Sequence, residues 1–347
     1  MNHYFKAVIY GVILFATTTS LSAKPQLITG AGATLPYPLY SKLFAMYSEK
    51  NNIKVNYQPI GSGAGIMQLR NGTIDFGATD DFVSDQEMAQ FKLPVIHVPI
   101  CVGSVAIIYN LKGVPQLNLT ADVLAGIFLG DIVTWDDPKI KALNPTITLP
   151  KQKIVPVRRS DSSGTSYIFS HYLSSVNERW KKTVGEGMNV KWPVGAGTKF
   201  NVGVTTMVQD ISGSIGYVSL PYAIENKMAV ASIRNKAKKW IAPTLKSTIA
   251  SAKIQLPADS RIAISDTPVG DGYPITGFTW ILLNKDAEKS KMTLEEAKAL
   301  KKLMIWMLTE GQVYADFMNY APLPIALVKP AIDQVGKMTY KGQPIPE

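Results

Sequence analysis

The feature that most constrains this chain is a unit that occurs three times: a short strand-like run, a turn rich in Gly, Ser or Thr, and the start of a helical period. The turns are GAGATLP (30–36), GSGAG (61–65) and SDSSGTS (160–166). Around the first two, the strand-like QLITG precedes a helix whose Leu39, Leu43, Met46 and Tyr47 share one face. Ile53, Val55 and Tyr57 then alternate as a strand. A second helix follows, which Asn71-Gly72 closes as a C-cap, and IDFGATD reads as the next strand. Strands alternating with helices give an α/β class with a largely parallel sheet. The rhythm continues with strands at Ser104–Tyr109, Ile154–Val157, Ser214–Val218 and 278–284. Further helices are predicted over Thr120–Leu129, with Thr120 as N-cap, and from near Tyr167. Thr293 and Glu296 form a capping box ahead of a helix to about Thr309. The proline-bearing C-terminal segment reads as wrapping rather than core.

The first 23 residues stand outside this pattern. Lys6, the apolar run Ala7–Ala16 and a polar stretch ending at Ala23 form a secretory signal peptide. That apolar run falls far short of the ~20 residues needed to span a bilayer. With no Cys near the cleavage point, a lipid anchor is excluded, and removal leaves 324 residues, enough for two domains. The lone Cys101 offers no disulfide framework; in its apolar setting it reads as a small buried hydrophobe. Net charge is +10, one less without Lys6. The densest basic groups, Lys236–Lys239 and Lys298–Lys302, read as solvated faces without the interleaved aromatics of a nucleic-acid platform.

The three turns carry the chemistry. A helix N-terminus presents unpaired N–H groups and favours anions. One such turn is no more than a helix cap, but three together, the last preceded by Arg158-Arg159, point to an oxyanion site. A guanidinium can hold a tetrahedral oxyanion with two parallel hydrogen bonds, and Asp161 is near enough to orient one of the arginines. Asp80 ends a predicted strand, where open α/β sheets bind ligands. A carboxylate beside an anion is sensible if the ligand carries a proton for it to accept, and a fully ionised sulfate has none. Asp81 is its confusable neighbour.

Across nearly its whole length after residue 23, the chain resembles the periplasmic phosphate-binding proteins of phosphate ABC transporters. The segments are TGAGATLPYPLY, VNYQPIGSGAGIMQL, IDFGATDDFVSD, VRRSDSSGTSYIF, VKWPVGAGTK, GSIGYV and YPITGFTWILL, in matching order and spacing. The resemblance implies a two-domain type II periplasmic-binding fold with a ligand cleft between the domains and a two-segment hinge. Residues 24–103 plus 276–347 would form domain I, and 104–275 domain II. It implies phosphate ligands Thr34, Leu35, Ser62, Asp80, Arg159, Ser163, Gly164 and Thr165, with Asp161 supporting Arg159. It also implies a monomeric periplasmic protein without cofactor or metal, serving a permease and an ATPase. Three segments depart from the family pattern. Leu35 stands where Phe is frequent, GSGAG replaces GSSGG, and Asp81-Phe82 stands where a small residue and Pro are common.

Other classes fit less well. SDSSG resembles a nucleophile elbow, but Ser160 takes the place of its first Gly. Of three histidines, His3 leaves with the signal, while His97 and His171 sit in apolar or helical settings. A phosphatase would need a base or a metal cluster that this spacing does not supply. Sulfate and molybdate carry no proton for Asp80, whereas arsenate does. A surface protein that binds phosphate or arsenate with this fold, without transport, is left open by the sequence.

Overall fold

The computed structural model describes residues 26–254, 257 and 261–346, so the predicted signal peptide lies outside the described residues. β1 (Gln26–Gly32) leads into α1 (Tyr37–Lys50), β2 (Ile53–Gln58), α2 (Ser62–Asn71), β3 (Phe76–Thr79) and α3 (Asp85–Met88). β4 (Val95–Tyr109) is followed by β5 (Leu117–Leu119), α4 (Ala121–Leu129) and α5 (Pro138–Leu143). Next come β6 (Val155–Arg159), α6 (Gly164–Val176), α7 (Glu178–Thr183), β7 (Ala196–Thr198), α8 (Phe200–Asp210), β8 (Ser214–Ser219) and α9 (Leu220–Glu225). β9 (Ala229–Arg234), β10 (Trp240–Ile241), α10 (Leu245–Ser251) and β11 (Thr276–Asn284) precede α11 (Leu294–Leu308), α12 (Val313–Phe317), β12 (Ala321–Pro322) and α13 (Ile325–Gly336).

The main path of the sheet runs β2-β1-β3-β11-β4-β8-β6-β7. β1 pairs in parallel with β2 and β3, and β6 in parallel with β8 and β7. β4 joins the two parallel groups by exchanging partners along its length. Its residues 95–104 pair antiparallel with β11, and 105–109 pair with β8. The turns that follow β1, β2, β3 and β6 all lie at C-terminal strand ends, the edge at which parallel sheets bind ligands.

Three local expectations are corrected. The strand predicted from Ser104 begins at Val95, because Pro99, which suggests a break, sits beside a register shift against Thr279/Trp280, where a missing N–H costs no ladder bond. α6 starts at Gly164 rather than near Tyr167. The Ser163 hydroxyl accepts the Ser166 N–H (3.1 Å) and nucleates the helix through residues that look like a turn in sequence. The C-terminal segment contributes to the core, since Leu327, Ala331, Val335, Met338 and Ile345 are buried in the largest apolar cluster. Other expectations are met: Gly72 caps α2 in the left-handed region (φ 68°), and the Thr293–Glu296 box is formed.

An aromatic group lies behind each set of turns. Tyr57 meets Tyr40 edge-on and stacks on Phe76. On the other side Tyr217 stacks on Phe169 (4.5 Å) and Trp192 (5.6 Å). Both tyrosines extend their hydroxyls out of apolar surroundings to the turns, the usual way a buried phenol meets its hydrogen-bond need. Cys101 is buried as expected. No helix of the described residues is long and apolar enough to cross a membrane.

Candidate functional site

The turn after β1 is fixed by its carbonyls. Tyr57 donates its hydroxyl proton to Ala33 O (2.7 Å), Tyr222 to Thr34 O (3.0 Å) and Tyr320 to Leu35 O (2.6 Å). In a planar trans peptide the N–H points opposite to the C=O. The phenols of Tyr57 and Tyr222 thus aim the N–H groups of Thr34 and Leu35 the other way. Neither N–H donates to an acceptor among the described residues. The Leu35 side chain is buried, and its peptide N–H is the group turned away from Tyr222.

Ser62 opens α2 and is completely buried. Its hydroxyl oxygen accepts the Asp80 N–H (3.3 Å) and the Gly164 N–H (3.2 Å), joining all three segments. Gly61 and Gly63 are required here by close approach. A Cβ at Gly61 would lie 2.7 Å from Asp161 Oδ2, and one at Gly63 2.0 Å from Ser162 Oγ. The change from GSSGG to GSGAG keeps Gly61 and Ser62 and places Gly63 where the family pattern has Ser.

Asp80 is 1% exposed, and neither carboxylate oxygen is hydrogen-bonded among the described residues. Burial pushes its carboxyl up to about 7, against the pull of the neighbouring Thr279 and Ser62 hydroxyls and of the Arg159 charge, none of which reaches a carboxylate oxygen with hydrogen-bond geometry. Asp81 is set apart by its surroundings. Its main chain is held by Thr79 Oγ1, and its carboxyl is pushed up to about 8 by burial and by Glu87, Glu186 and Asp80.

Arg159 is the last residue of β6, and the two-residue period turns it inward while Arg158 points away. Its Nε and Nη2 donate to Asp161 Oδ1 (2.7 Å) and Oδ2 (2.5 Å), and its N–H donates to Tyr217 Oη (3.1 Å). Nη1 is buried without a partner among the described residues. Burial raises the Asp161 carboxyl, but the Arg159 hydrogen bonds and charge and the Phe200 N–H outweigh it, leaving it below the usual carboxylate range. Ser163, Gly164 and Thr165 form the cap and first turn of α6 and are all buried. The structure therefore brings every sequence-predicted site residue to one place. Three mainly donor-bearing turns surround one acid whose oxygens are unpaired.

The sequence reading missed the residues that aim these groups: Tyr57, Tyr222 and Tyr320 at the first turn, Tyr217 behind Arg159, and Asn201. Asn201 is buried in the first turn of α8 on the face shared with Val204, Thr205 and Val208. An amide on a buried helix face that also carries Val204 and Val208 was the signal available. The histidines sit elsewhere: His97 Nε2 accepts the Val83 N–H (3.1 Å), and His171 lies against the Tyr167 ring. Among the described residues there is no group of three or more His, Cys, Asp or Glu placed to hold a metal.

A model of the PBP superfamily domain matches residues 16–310. The phosphate-binding protein PstS of Pasteurella multocida is 41% identical over 322 residues, covering 91% of this chain and 92% of its own. PstS of Xylella fastidiosa (strain 9a5c) is 42% identical over 324 residues, covering 90% and 86%. Among solved structures, a high affinity periplasmic phosphate-binding protein bound with phosphate matches with a TM-score of 0.71 at 23% identity, covering 87% of this chain and 92% of its own. The fold is accordingly the type II periplasmic-binding fold that the resemblance implied. By the extent of these matches, the chain belongs to the PBP superfamily and, within it, to the family of PstS phosphate-binding proteins.

Proposed function

We propose that this protein binds inorganic phosphate with high affinity in the periplasm and delivers it to an ABC-type importer, acting as a monomeric binding protein and not as an enzyme. Its relatives are named as binding proteins. The observation that carries the reading is the Asp80 carboxylate, buried and unpaired among the described residues, beside turns that offer donors. In a dry site an acceptor pays off only against a ligand that brings its own proton, which phosphate does and sulfate does not.

In this reading Thr34, Leu35, Ser62, Arg159, Ser163, Gly164 and Thr165 donate, Asp80 accepts and Asp161 holds Arg159. Residues 24–103 with 276–347 act as one domain and 104–275 as the other, in keeping with the exchange of partners along β4 at 104/105. The domains close over the ligand about a two-segment hinge and exclude water. The signal peptide is cleaved near Ala23, and a permease with its ATPase recognises the closed form.

Calorimetric titration of phosphate-stripped protein tests the reading. Tight one-to-one binding of phosphate, with no heat from sulfate, is the expected result. Absence of phosphate binding would mean that the fold is kept and the ligand changed.

A further inference from the structure

The amide of Asn201 lies between the two halves of the site. Its Oδ1 accepts the Ser219 N–H (2.8 Å), and its Nδ2 donates to Thr34 Oγ1 (2.8 Å) and to Thr165 Oγ1 (3.2 Å). Thr34 belongs to the turn after β1, whereas Asn201, Ser219 and Thr165 come from α8, β8 and α6. All three side chains of the triad are at most 2% exposed.

The orientation of this amide is not a free choice. A backbone N–H can only donate, so the end facing Ser219 is the carbonyl oxygen, and both Nδ2 protons face the threonines. Each threonine hydroxyl has one proton and two lone pairs. With Asn201 donating to both oxygens, each hydroxyl must spend its own proton elsewhere. Among the described residues neither donates to a protein acceptor.

We infer that Asn201 is a positioning residue that sets the hydrogen-bond polarity of the site: it holds the Thr34 and Thr165 hydroxyls as donors toward the bound oxyanion and links the two halves when they close. The inference rests on the phosphate reading given above. The Ser62 hydroxyl follows the same logic, since it accepts two backbone N–H groups and keeps its proton free of them. A cage polarised in this way presents donors from both sides and leaves acceptance to Asp80. Phosphate oxygens that carry no proton meet O–H groups already turned toward them, so little reorientation is needed on binding.

Asn201→Asp tests this directly, because it keeps the shape and the acceptor for the Ser219 N–H while replacing the donor by a second acceptor. The threonine hydroxyls then turn toward the new carboxylate. In calorimetric titration with inorganic phosphate, affinity should fall at least about a hundredfold, with the melting temperature little changed. Asn201→Leu removes the donor without reversing it and should lose roughly tenfold. A residue that only packs would give the opposite order, with the isosteric Asp milder than Leu.

Simple charge repulsion is separated by a double-mutant cycle with Thr34→Val. Repulsion adds to the loss caused by Thr34→Val. Redirected polarity does not, because the Thr34 proton has already been withdrawn from the ligand. Should Asn201→Asp fail to fold, the same cycle is run with Asn201→Leu. Additive losses in the cycle, or phosphate binding by Asn201→Asp within threefold of the parent, overturn the inference while phosphate binding by the parent stands. No phosphate binding by the parent removes the functional reading and this inference together.

Discussion

Gly164 and Asp80, 84 positions apart in the chain, meet so closely that a Cβ on Gly164 would lie 2.6 Å from both Asp80 Cβ and Asp80 Oδ2. It would also lie 2.5 Å from Ser62 Oγ. The contact joins the first turn of α6 to the end of β3, so a glycine is needed for approach rather than for backbone conformation.

Gly164→Ala should therefore oppose closure. Overpacking costs about 1–3 kcal/mol, which as a coupling between closure and binding corresponds to roughly 5–150-fold weaker phosphate affinity. Calorimetry with phosphate checks it. Affinity equal to the parent's would show that the contact opens without loss when ligand binds.

Asp80→Asn should mainly damage discrimination, so that sulfate competes for the site where the parent rejects it. It should also flatten a pH dependence of the ligand-free protein. The folded value of about 7 lies above the ordinary 3.8, so the folded state holds a proton that the unfolded chain has released. The unfolded chain thus binds fewer protons across that window, and stability falls as pH rises from about 4 to about 7, then levels off. The loss is roughly 4 kcal/mol at most. Thermal melts of parent and Asn variant from pH 4 to 8, without phosphate, should differ in slope only inside that window.

Asp161→Ala should weaken both fold and binding. It leaves the Arg159 guanidinium buried (1% exposed side chain) without its carboxylate, a loss of about 3–5 kcal/mol for a broken buried pair. Asp161 is held below its usual range, so its stabilisation is complete above the unfolded value and lost as pH falls through the folded one. Urea melts at pH 7 and pH 3 should show the Ala variant's deficit shrinking at the lower pH. Arg159→Lys should retain the fold better yet lose roughly 10–150-fold in phosphate affinity, since an ammonium cannot serve Asp161 and an oxyanion with one planar fork.

Cys101 should resist thiol reagents in the native protein and react on unfolding. It is wholly buried, and burial, with Asp80 nearby, raises its thiol well above the ordinary value, so little nucleophilic thiolate forms. Rapid modification under native conditions by an uncharged alkylating agent would contradict its placement in β4.

Thr293→Ala is the control far from the site. The Thr293 hydroxyl accepts the Glu296 N–H, and the Glu296 carboxylate accepts the Thr293 N–H at the start of α11. Loss of the cap should cost about 1 kcal/mol of stability with phosphate affinity unchanged.

Much of the site was legible because its ligand turns are continuous in sequence and carry unusual composition. GAGATLP, GSGAG and RRSDSSGTS mark themselves by glycines and hydroxyls at predicted helix starts. Asp80 was recognisable as an acid where an anion site should have donors. The supporting residues were not legible, since each looks ordinary in its own segment. Tyr57 is one apolar position of an alternating strand, Tyr222 and Tyr320 lie far along the chain, and Asn201 falls two positions beyond the segment VKWPVGAGTK. The early start of α6 was likewise hidden, because Gly, Thr and Ser are weak helix formers away from a cap.

The sequence alone determined the α/β class and the identity of the polar groups available to the site, because strand and helix periods and turn chemistry are local properties of the chain. The tertiary structure decided which way those groups point. It set Tyr57 and Tyr222 behind the Thr34 and Leu35 peptides, Asp161 behind Arg159, and Asn201 between two hydroxyls. A hydrogen bond's direction depends on the partner at the other end, and here those partners are mostly brought together only by folding.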